Sequence, residues 1–246
     1  MTIQTFPFAP GVSLAYARSA GASPLPGVIF LGGFRSDMGG TKALFLEERC
    51  RARGQAFLRF DYSGHGQSGG KFEDGSIGLW YAQAAAMFDL FTEGPQIIVG
   101  SSMGGWIGLL LARARPERVK ALVAIAPAPD FSREVWEDEM TAEQRKTVEA
   151  GDYFQVPTAY GAPYTFSKVF FDGSRDHLLL HAPITVDCPV RILQGKMDHA
   201  VPWQKAERIR SLLTSQDVEV TYIDDGDHSL SRPSDLEILD STIRSF

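Results

Sequence analysis

Residues 97–105 read Ile-Ile-Val-Gly-Ser-Ser-Met-Gly-Gly, and this stretch decides the fold. A short β-branched run leads into a Gly-x-Ser-x-Gly frame at residues 100–104, and good helix formers follow from Trp106 to Ala114. Strand, sharp turn and helix form the context in which this frame becomes a nucleophile elbow, which exposes the serine hydroxyl. The stretch therefore predicts that Ser102 is a nucleophile. The alternative is an ordinary turn in which Ser102 only caps the helix.

A nucleophilic serine needs a general base and a carboxylate that orients the base, and the sequence offers both. In the α/β-hydrolase order, the acidic residue and then the histidine follow the serine along the chain. Asp198 lies on a loop after a predicted strand at residues 190–193, and His228 lies on a loop after a predicted strand at residues 218–223. Both loops leave the carboxyl ends of their strands, on the rim where the serine is expected. We therefore predict a catalytic triad of Ser102, Asp198 and His228.

Rival carboxylates and histidines are disfavoured by their places in the chain. Acidic residues next to His228 more often serve the turn that they lie in, and Asp187 precedes its strand, at the opposite end of the sheet. His65 follows a strand in a glycine- and serine-rich loop and could border the site, but it precedes the nucleophile and breaks the expected order. The other rivals are Asp224, Asp225, Asp227, His177, His181 and His199.

An oxyanion hole needs two backbone N–H groups directed at the negative charge that develops on the substrate oxygen. One is expected from Met103, because the residue after the nucleophile starts the helix and the helix dipole adds to the effect. The second is expected from the loop after the apolar strand at residues 28–31, where Gly32 and Gly33 let the backbone approach the substrate. We predict Phe34 as that donor, and the alternative is a plain glycine turn.

The composition limits the classes of function. The chain has 246 residues, 44% of them hydrophobic and 22% charged, which is ordinary for a single globular core. A net charge of −6 gives no electrostatic footprint for nucleic acid, and without a run of 18 apolar residues we expect no transmembrane segment. The N-terminus Met-Thr-Ile-Gln has neither a basic nor an apolar segment, so we expect no signal peptide and a cytoplasmic protein.

The chemistry predicted for the site needs no metal and no cofactor. Cys50 and Cys188 lack the Cys-x-x-Cys spacing, and we expect both to be reduced thiols. His, Cys and carboxylate residues nowhere cluster at metal-ligand spacing, and a serine nucleophile with a histidine base works without a cofactor. The expected ligand is therefore the substrate alone.

Strands and helices alternate along most of the chain, which predicts a mostly parallel sheet with helices on both faces. The predicted strands are residues 12–18, 28–31, 56–60, 96–99, 121–126, 190–193 and 218–223, and the predicted helices are residues 40–53, 79–92, 203–213 and 234–245. Together with the elbow and the order of the triad, this pattern predicts a single domain with the α/β-hydrolase fold over residues 1–246.

Residues 128–185 interrupt this alternation, and we predict that they form a cap inserted between two strands of the sheet. Within them, residues 133–150 are predicted to be a charged amphipathic helix. The insertion is rich in aromatic residues, which are Trp136, Tyr153, Phe154, Tyr160, Tyr164, Phe166, Phe170 and Phe171. These side chains predict either an apolar pocket for an acyl group or contacts that only attach the cap to the sheet.

Several motifs resemble a subgroup of α/β-hydrolase-domain proteins whose mitochondrial member is described as an S-depalmitoylating thioesterase and a mycophenolic-acid acyl-glucuronide esterase. The motifs are residues 32–43 (GGFRSDMGGTKA), 59–64 (RFDYSG), 94–106 (GPQIIVGSSMGGW), 179–184 (LLHAPI), 198–203 (DHAVPW) and 227–228 (DH). By this resemblance, which covers most of the chain, Ser102, Asp198 and His228 match the family triad. Because no transit peptide is visible before the first strand, we expect a bacterial-type relative.

The residues and the resemblance together predict a serine hydrolase that cleaves carboxylic esters or thioesters through an acyl-enzyme intermediate. Its substrates would be small esters, acyl thioesters or S-acylated proteins with an apolar acyl group. The alternatives are a peptidase or C–C hydrolase with the same triad, or a non-catalytic binding module on the same fold. The intact set of Ser102, Asp198 and His228 argues against the binding module.

Overall fold

Strands and helices alternate through a computed structural model that describes residues 1–158 and 161–246. The strands are β1 (Gln4–Ala9), β2 (Val12–Ser19), β3 (Gly27–Leu31), β4 (Phe57–Phe60), β5 (Gln96–Ser101), β6 (Val119–Ile125), β7 (Phe154–Thr158), β8 (Gly161–Phe166), β9 (Val190–Gly195) and β10 (Val218–Ile223). The helices are α1 (Thr41–Ala52), α2 (Ile77–Phe91), α3 (Met103–Ala114), α4 (Phe131–Glu134), α5 (Ala142–Glu149), α6 (Lys168–Asp172), α7 (Gln204–Leu212) and α8 (Pro233–Ile243).

One sheet of eight strands forms the centre of the molecule, in the order β1-β2-β4-β3-β5-β6-β9-β10. From β4 to β10 each neighbouring pair is parallel, whereas β2 is antiparallel to both of its neighbours at one edge. Every residue of β3, β4 and β5 is buried. Buried apolar runs of this kind are typical of parallel strands that are covered on both faces.

Helices pack on both faces of the sheet. Alternate residues of a strand point to opposite faces: Ile98 of β5 packs into one hydrophobic cluster with Trp80 of α2 and Trp106 of α3. Its neighbour Ile97 packs into a second cluster, to which α1 and α8 contribute side chains such as Leu46. A mostly parallel sheet between two helix layers confirms the predicted fold class.

The sequence pattern does not predict the edge strand β1. It pairs antiparallel with β2 and lies largely exposed, with only alternate residues half-buried. Its sequence, Gln-Thr-Phe-Pro-Phe-Ala, has a proline and only two large apolar side chains, so it lacks the apolar run that marks the buried strands. Each predicted strand and helix of the sheet layers is present, with ends within two residues of the prediction.

The prediction of one helix over residues 133–150 is wrong. The chain forms the short α4, a π-helical turn at Val135–Glu139 and then a separate α5. Met140 has extended backbone dihedrals, and the Thr141 hydroxyl caps α5 by accepting from the Gln144 amide, while the Gln144 side chain accepts from the Thr141 amide. This capping box starts a new helix in the middle of the amphipathic pattern.

The remainder of the segment between β6 and β9 contains a two-stranded hairpin of β7 and β8, followed by α6. Tyr160, one of the aromatic residues assigned to the cap, lies outside the described residues. We call residues 128–185 the cap segment, and its division from the rest of the domain stays a prediction. Within the described ranges, each helix is too short or too polar to cross a membrane.

Candidate active site

Ser102 lies at the turn between β5 and α3 and has a left-handed backbone, with φ 56° and ψ −115°. A non-glycine residue in this conformation is strained and has to be held by its surroundings. A Cβ atom on Gly100 would overlap the Gly104 carbonyl, and a Cβ atom on Gly104 would overlap the Leu31 carbonyl. The two glycines of the motif therefore allow the sharp turn, and the Ser102 amide is fixed by a 2.8 Å hydrogen bond to the Ile125 carbonyl.

Ser102, His228 and Asp198 form a continuous hydrogen-bonded chain. His228 Nε2 lies 3.1 Å from Ser102 Oγ, and His228 Nδ1 lies 2.8 Å from Asp198 Oδ2. In a neutral imidazole with this arrangement, Nδ1–H donates to the carboxylate and Nε2 accepts from the serine hydroxyl. The Asp198 side chain is fully buried, whereas 21% of the His228 side chain is exposed, so the imidazole remains accessible to a substrate.

The loop after β9 keeps Asp198 ionised in a buried position. Its Oδ1 accepts from the amides of Ala200 and Val201, each at 2.8 Å, and its Oδ2 accepts from Gln194 Nε2 at 3.2 Å. Burial favours the neutral acid, but the hydrogen bonds from His228 and from the two amides favour the carboxylate more and hold the pKa of Asp198 below its ordinary value. A charged carboxylate in this place fixes the tautomer and the orientation of the imidazole.

The two predicted oxyanion donors are Met103, which directly follows Ser102, and Phe34, which lies on the glycine loop after β3. Met103 is the first residue of α3, and Phe34 follows the glycines after β3. In the described part of the chain, neither amide donates a hydrogen bond to another protein group. The glycine loop comes close to Ser102, because a Cβ atom on Gly33 would lie 3.5 Å from the Ser102 Cβ atom. The role of both amides stays a prediction.

The rival carboxylates near His228 have other partners. Asp224 pairs with Lys196 at 2.7 Å, and Asp225 pairs with Arg232 at 2.6 Å. Asp227 accepts from the amides of Ser229 and Leu230, each at 3.0 Å. Asp227 thus serves the turn that carries His228, as local carboxylates often do, and none of these three is bonded to the imidazole.

His65, which the sequence places near the border of the site, is connected to residues 32–35. We call these residues the oxyanion loop, because they carry the predicted donor Phe34. His65 Nε2 accepts from the Arg35 amide at 3.2 Å, and its Nδ1 lies 3.1 Å from the Ser63 carbonyl. Burial, and to a smaller extent the nearby Arg35, lower the pKa of His65 to about 4, so the ring is neutral at pH 7. Arg35 has a φ of 58°, and the neutral ring fixes this strained residue directly after Phe34.

The Phe34 side chain connects the oxyanion loop to the cap segment. Its ring packs against six aromatic rings whose centroids lie 4.8 to 5.8 Å away, and these belong to Phe72, Trp80, Phe131, Tyr164, Phe166 and Phe170. Phe166 and Phe170 are each only 2% exposed. Aromatic side chains of the cap segment therefore pack directly against the side chain of a predicted oxyanion donor.

The described residues contain no cluster of His, Cys, Asp and Glu that could hold a metal ion. Cys50 and Cys188 are both free thiols, and burial raises the pKa of each to about 11. A thiol with so high a pKa is a poor nucleophile near neutral pH. Neither thiol is therefore a candidate nucleophile near neutral pH.

Comparisons with known proteins agree with the geometry of the fold. A family model described as serine aminopeptidase S33 matches residues 23–160. The chain is 40% identical over 237 residues to palmitoyl-protein thioesterase ABHD10, mitochondrial, of Mus musculus, covering 94% of this chain and 77% of that protein. The solved structure of the mouse protein superposes with a TM-score of 0.89 at 37% identity, covering 100% of this chain and 98% of that one. A protein from Agrobacterium vitis S4 superposes with a TM-score of 0.93 at 38% identity, covering 100% and 99%.

Proposed function

This chain belongs to the α/β-hydrolase family that includes ABHD10, and from that premise we propose that it is a serine hydrolase of carboxylic esters and acyl thioesters. The observation that carries the proposal is the hydrogen-bonded chain in which His228 contacts Ser102 Oγ at 3.1 Å and Asp198 Oδ2 at 2.8 Å. The mouse relative is named a palmitoyl-protein thioesterase, and this name describes a palmitoyl thioester of a protein as its substrate. An S-acylated protein is therefore among the substrates that we propose for this chain.

The proposed reaction runs in two halves. Ser102 Oγ attacks the acyl carbon while His228 Nε2 takes the hydroxyl proton, and the amides of Met103 and Phe34 stabilise the tetrahedral oxyanion. As the intermediate collapses, the bond to the leaving group breaks, and His228 returns the proton to the departing oxygen or sulfur. Water, activated by the same imidazole, then attacks the acyl-enzyme, which releases the carboxylic acid and restores the serine.

We propose that the cap segment determines which acyl groups the protein accepts. Phe131, Phe166 and Phe170 lie against the Phe34 ring, so an acyl chain bound behind the oxyanion loop would contact aromatic carbon rather than water. Burying apolar carbon there is favourable by about 0.8 kcal/mol per methylene. The alternative is that these rings only attach the cap to the sheet, and their deep burial is compatible with that role as well.

The test of the proposed function is covalent labelling followed by turnover. A fluorophosphonate probe should label the wild-type chain at one residue, identified by peptide mass spectrometry as Ser102, and should leave Ser102→Ala unlabelled. Acyl thioesters and p-nitrophenyl esters of matched chain length should be hydrolysed faster than the corresponding peptide amides. If amides are cleaved fastest, the chain is a peptidase, and if the probe does not react with Ser102, the serine hydrolase proposal is wrong.

The cytoplasmic location remains a proposal. The word mitochondrial in the names of the mouse and human relatives describes those proteins. Fractionation of cells that express the tagged chain, with marker enzymes for each compartment, would decide between the two locations.

A further inference from the structure

The loop that carries His228 has a strained backbone. Leu230 has a φ of 43°, in the left-handed region, and its side chain is only 3% exposed. A branched residue in this conformation persists only where the surrounding structure holds it. The hydrogen bonds from the Ser229 and Leu230 amides to Asp227 shape the loop internally, but they do not attach it to the rest of the domain.

Lys42 attaches this loop from outside. Its ammonium group donates to the Ser229 carbonyl and also lies 3.3 Å from Ser231 Oγ. The residues joined by the first bond are 187 positions apart in the sequence, and Ser229 directly follows His228. Lys42 belongs to the glycine-rich motif of residues 32–43, whose last part has no role in the reaction described above.

The start of α1, from which Lys42 projects, is firmly anchored. The Met38 amide donates to Asp61 Oδ1 at 2.6 Å, and the Met38 carbonyl accepts from Arg59 Nη1 at 2.8 Å. Arg59 is itself buried and pairs with Glu47 at 2.6 Å. Because this helix start is itself held in place, Lys42 can fix the position of a distant loop. A lysine on a mobile loop could not do so.

Holding the Lys42 ammonium group at this place costs free energy, because burial favours its neutral form. Burial lowers the pKa of Lys42 to about 8, and the opposing attraction of Asp227 and Asp235 does not cancel this effect. The folded protein therefore holds the ammonium at a cost, and an uncharged side chain would relieve it. Asp235 is also shared with Arg232, which lies 2.9 Å from it.

We propose that Lys42 is a positioning residue for His228. Through the Ser229 carbonyl it holds the strained loop so that Nε2 of the imidazole stays at hydrogen-bond distance from Ser102 Oγ. Lys42 links α1, which follows the oxyanion loop, to the loop that carries His228. The oxyanion loop and the imidazole are thereby held in one fixed arrangement. This inference rests on the proposed roles of Ser102 and His228.

The test compares Lys42→Met with Lys42→Arg, using Lys168→Met as the control. Lys168 lies in the cap segment and pairs with Asp172 of the same helix, so its loss removes a lysine without touching the loop. Small displacements of a catalytic group can cost roughly 10- to 100-fold. We therefore expect Lys42→Met to lower kcat on a p-nitrophenyl ester by about 10-fold or more, with KM changed less than about twofold and the melting temperature retained. Lys42→Arg, which keeps a cationic donor, should recover most of kcat.

The rate of fluorophosphonate labelling separates the failure of this inference from failure of the proposed function. Labelling of Lys42→Met should slow by the same factor as kcat, while Lys168→Met should label at the wild-type rate. Wild-type labelling at Ser102 together with unchanged labelling of Lys42→Met overturns only the inference. A fall in melting temperature with unchanged kcat, or no rescue by arginine, overturns it as well. If Lys42→Met does not fold, Lys42→Gln takes its place in the same comparison.

Discussion

The rim of the sheet and the aromatic part of the cap segment differ in the contacts that surround their side chains. At the rim, which we define as Ser102, Asp198 and His228 with their loops, each side chain is fixed by directional hydrogen bonds between 2.8 and 3.2 Å. In the cap segment, the contacts around Phe34 are between aromatic rings, although hydrogen bonds such as that from Trp106 Nε1 to the His177 carbonyl also attach the segment. Directional bonds specify one geometry, whereas apolar packing tolerates rearrangement. The rim is therefore suited to holding reacting groups in one geometry. The cap is suited to accepting acyl groups of different size.

Phe34 is the residue at which the two regions meet. The residue directly before it, Gly33, approaches Ser102, and the Phe34 ring packs against aromatic rings of the cap segment. We therefore expect changes at the rim to abolish turnover of all substrates alike. Changes in the cap should alter the ratio of kcat/KM between different substrates.

The largest expected effect is at the proposed nucleophile. Ser102→Ala removes the attacking oxygen and should lower kcat by at least about 10⁴-fold on every substrate, as deletion of a triad serine does elsewhere. The fold should survive, since only one half-buried hydroxyl is lost. The measurement is the initial rate on a series of esters at matched protein concentration, with circular dichroism as the folding control. Retained turnover of any one ester would remove Ser102 from the mechanism.

The next largest effect is expected at the carboxylate that we propose orients the imidazole. Asp198→Asn removes the charge that supports the imidazolium and permits the wrong tautomer, so kcat should fall by about 10³-fold or more. Asp225→Asn is the matched control, because Asp225 also lies near His228 in the chain but is exposed and pairs with Arg232. The control should keep at least half of the wild-type rate. A reversal, with the loss at Asp225, would transfer the role to that residue.

The sequence singles out the three residues of the rim through local signals, and their catalytic roles stay predictions. An elbow motif, two strands and a residue just beyond each strand identify Ser102, Asp198 and His228, and parallel strands bring such loop ends to one edge. The links from Arg35 to His65 and from Lys42 to Ser229 could not be predicted, because each joins residues far apart in the chain through contacts that only folding creates. The glycine-rich loops around both residues were visible as motifs but did not indicate their partners.

The cap was harder to predict for a related reason. The amphipathic pattern over residues 133–150 continues across the break at Met140, and only the Thr141 capping box marks the second helix. Apolar periodicity reports which residues are buried, but it does not report the direction of the chain at a break. The aromatic content of the cap was evident, whereas its packing against Phe34 depended on tertiary contacts.

A smaller effect is expected in the cap. Phe166→Ala and Phe170→Ala should shift the preferred acyl length, changing the ratio of kcat/KM between neighbouring even-numbered chains by several-fold, since each methylene contributes about 0.8 kcal/mol. Hydrolysis of acetyl esters should change little. Each replacement should also cost about 3 kcal/mol of stability, because a buried phenylalanine leaves a cavity.

The control for this cap experiment is Phe88→Ala. Phe88 is fully buried in α2 and stacks with the Arg118 guanidinium instead of a cap ring. It should lower the melting temperature by a comparable amount and leave the chain-length profile parallel to that of the wild type. If the cap variants also give a parallel profile, the cap aromatics only attach the cap to the sheet, and the proposed acyl pocket is wrong.

The smallest effect is expected at a polar contact on the outside of the cap. Asp172 pairs with Lys168 and, at 3.3 Å, with Arg175, but all three side chains are more than 40% exposed. Exposed ion pairs contribute about 0 to 1 kcal/mol because water and salt screen the charges and the side chains lose freedom. Asp172→Asn should therefore shift the melting temperature by no more than a few degrees and should leave both kcat and the chain-length profile unchanged. A clear change in that profile would mean that cap specificity depends on directional polar contacts, as at the rim, and the contrast between the two regions would no longer hold.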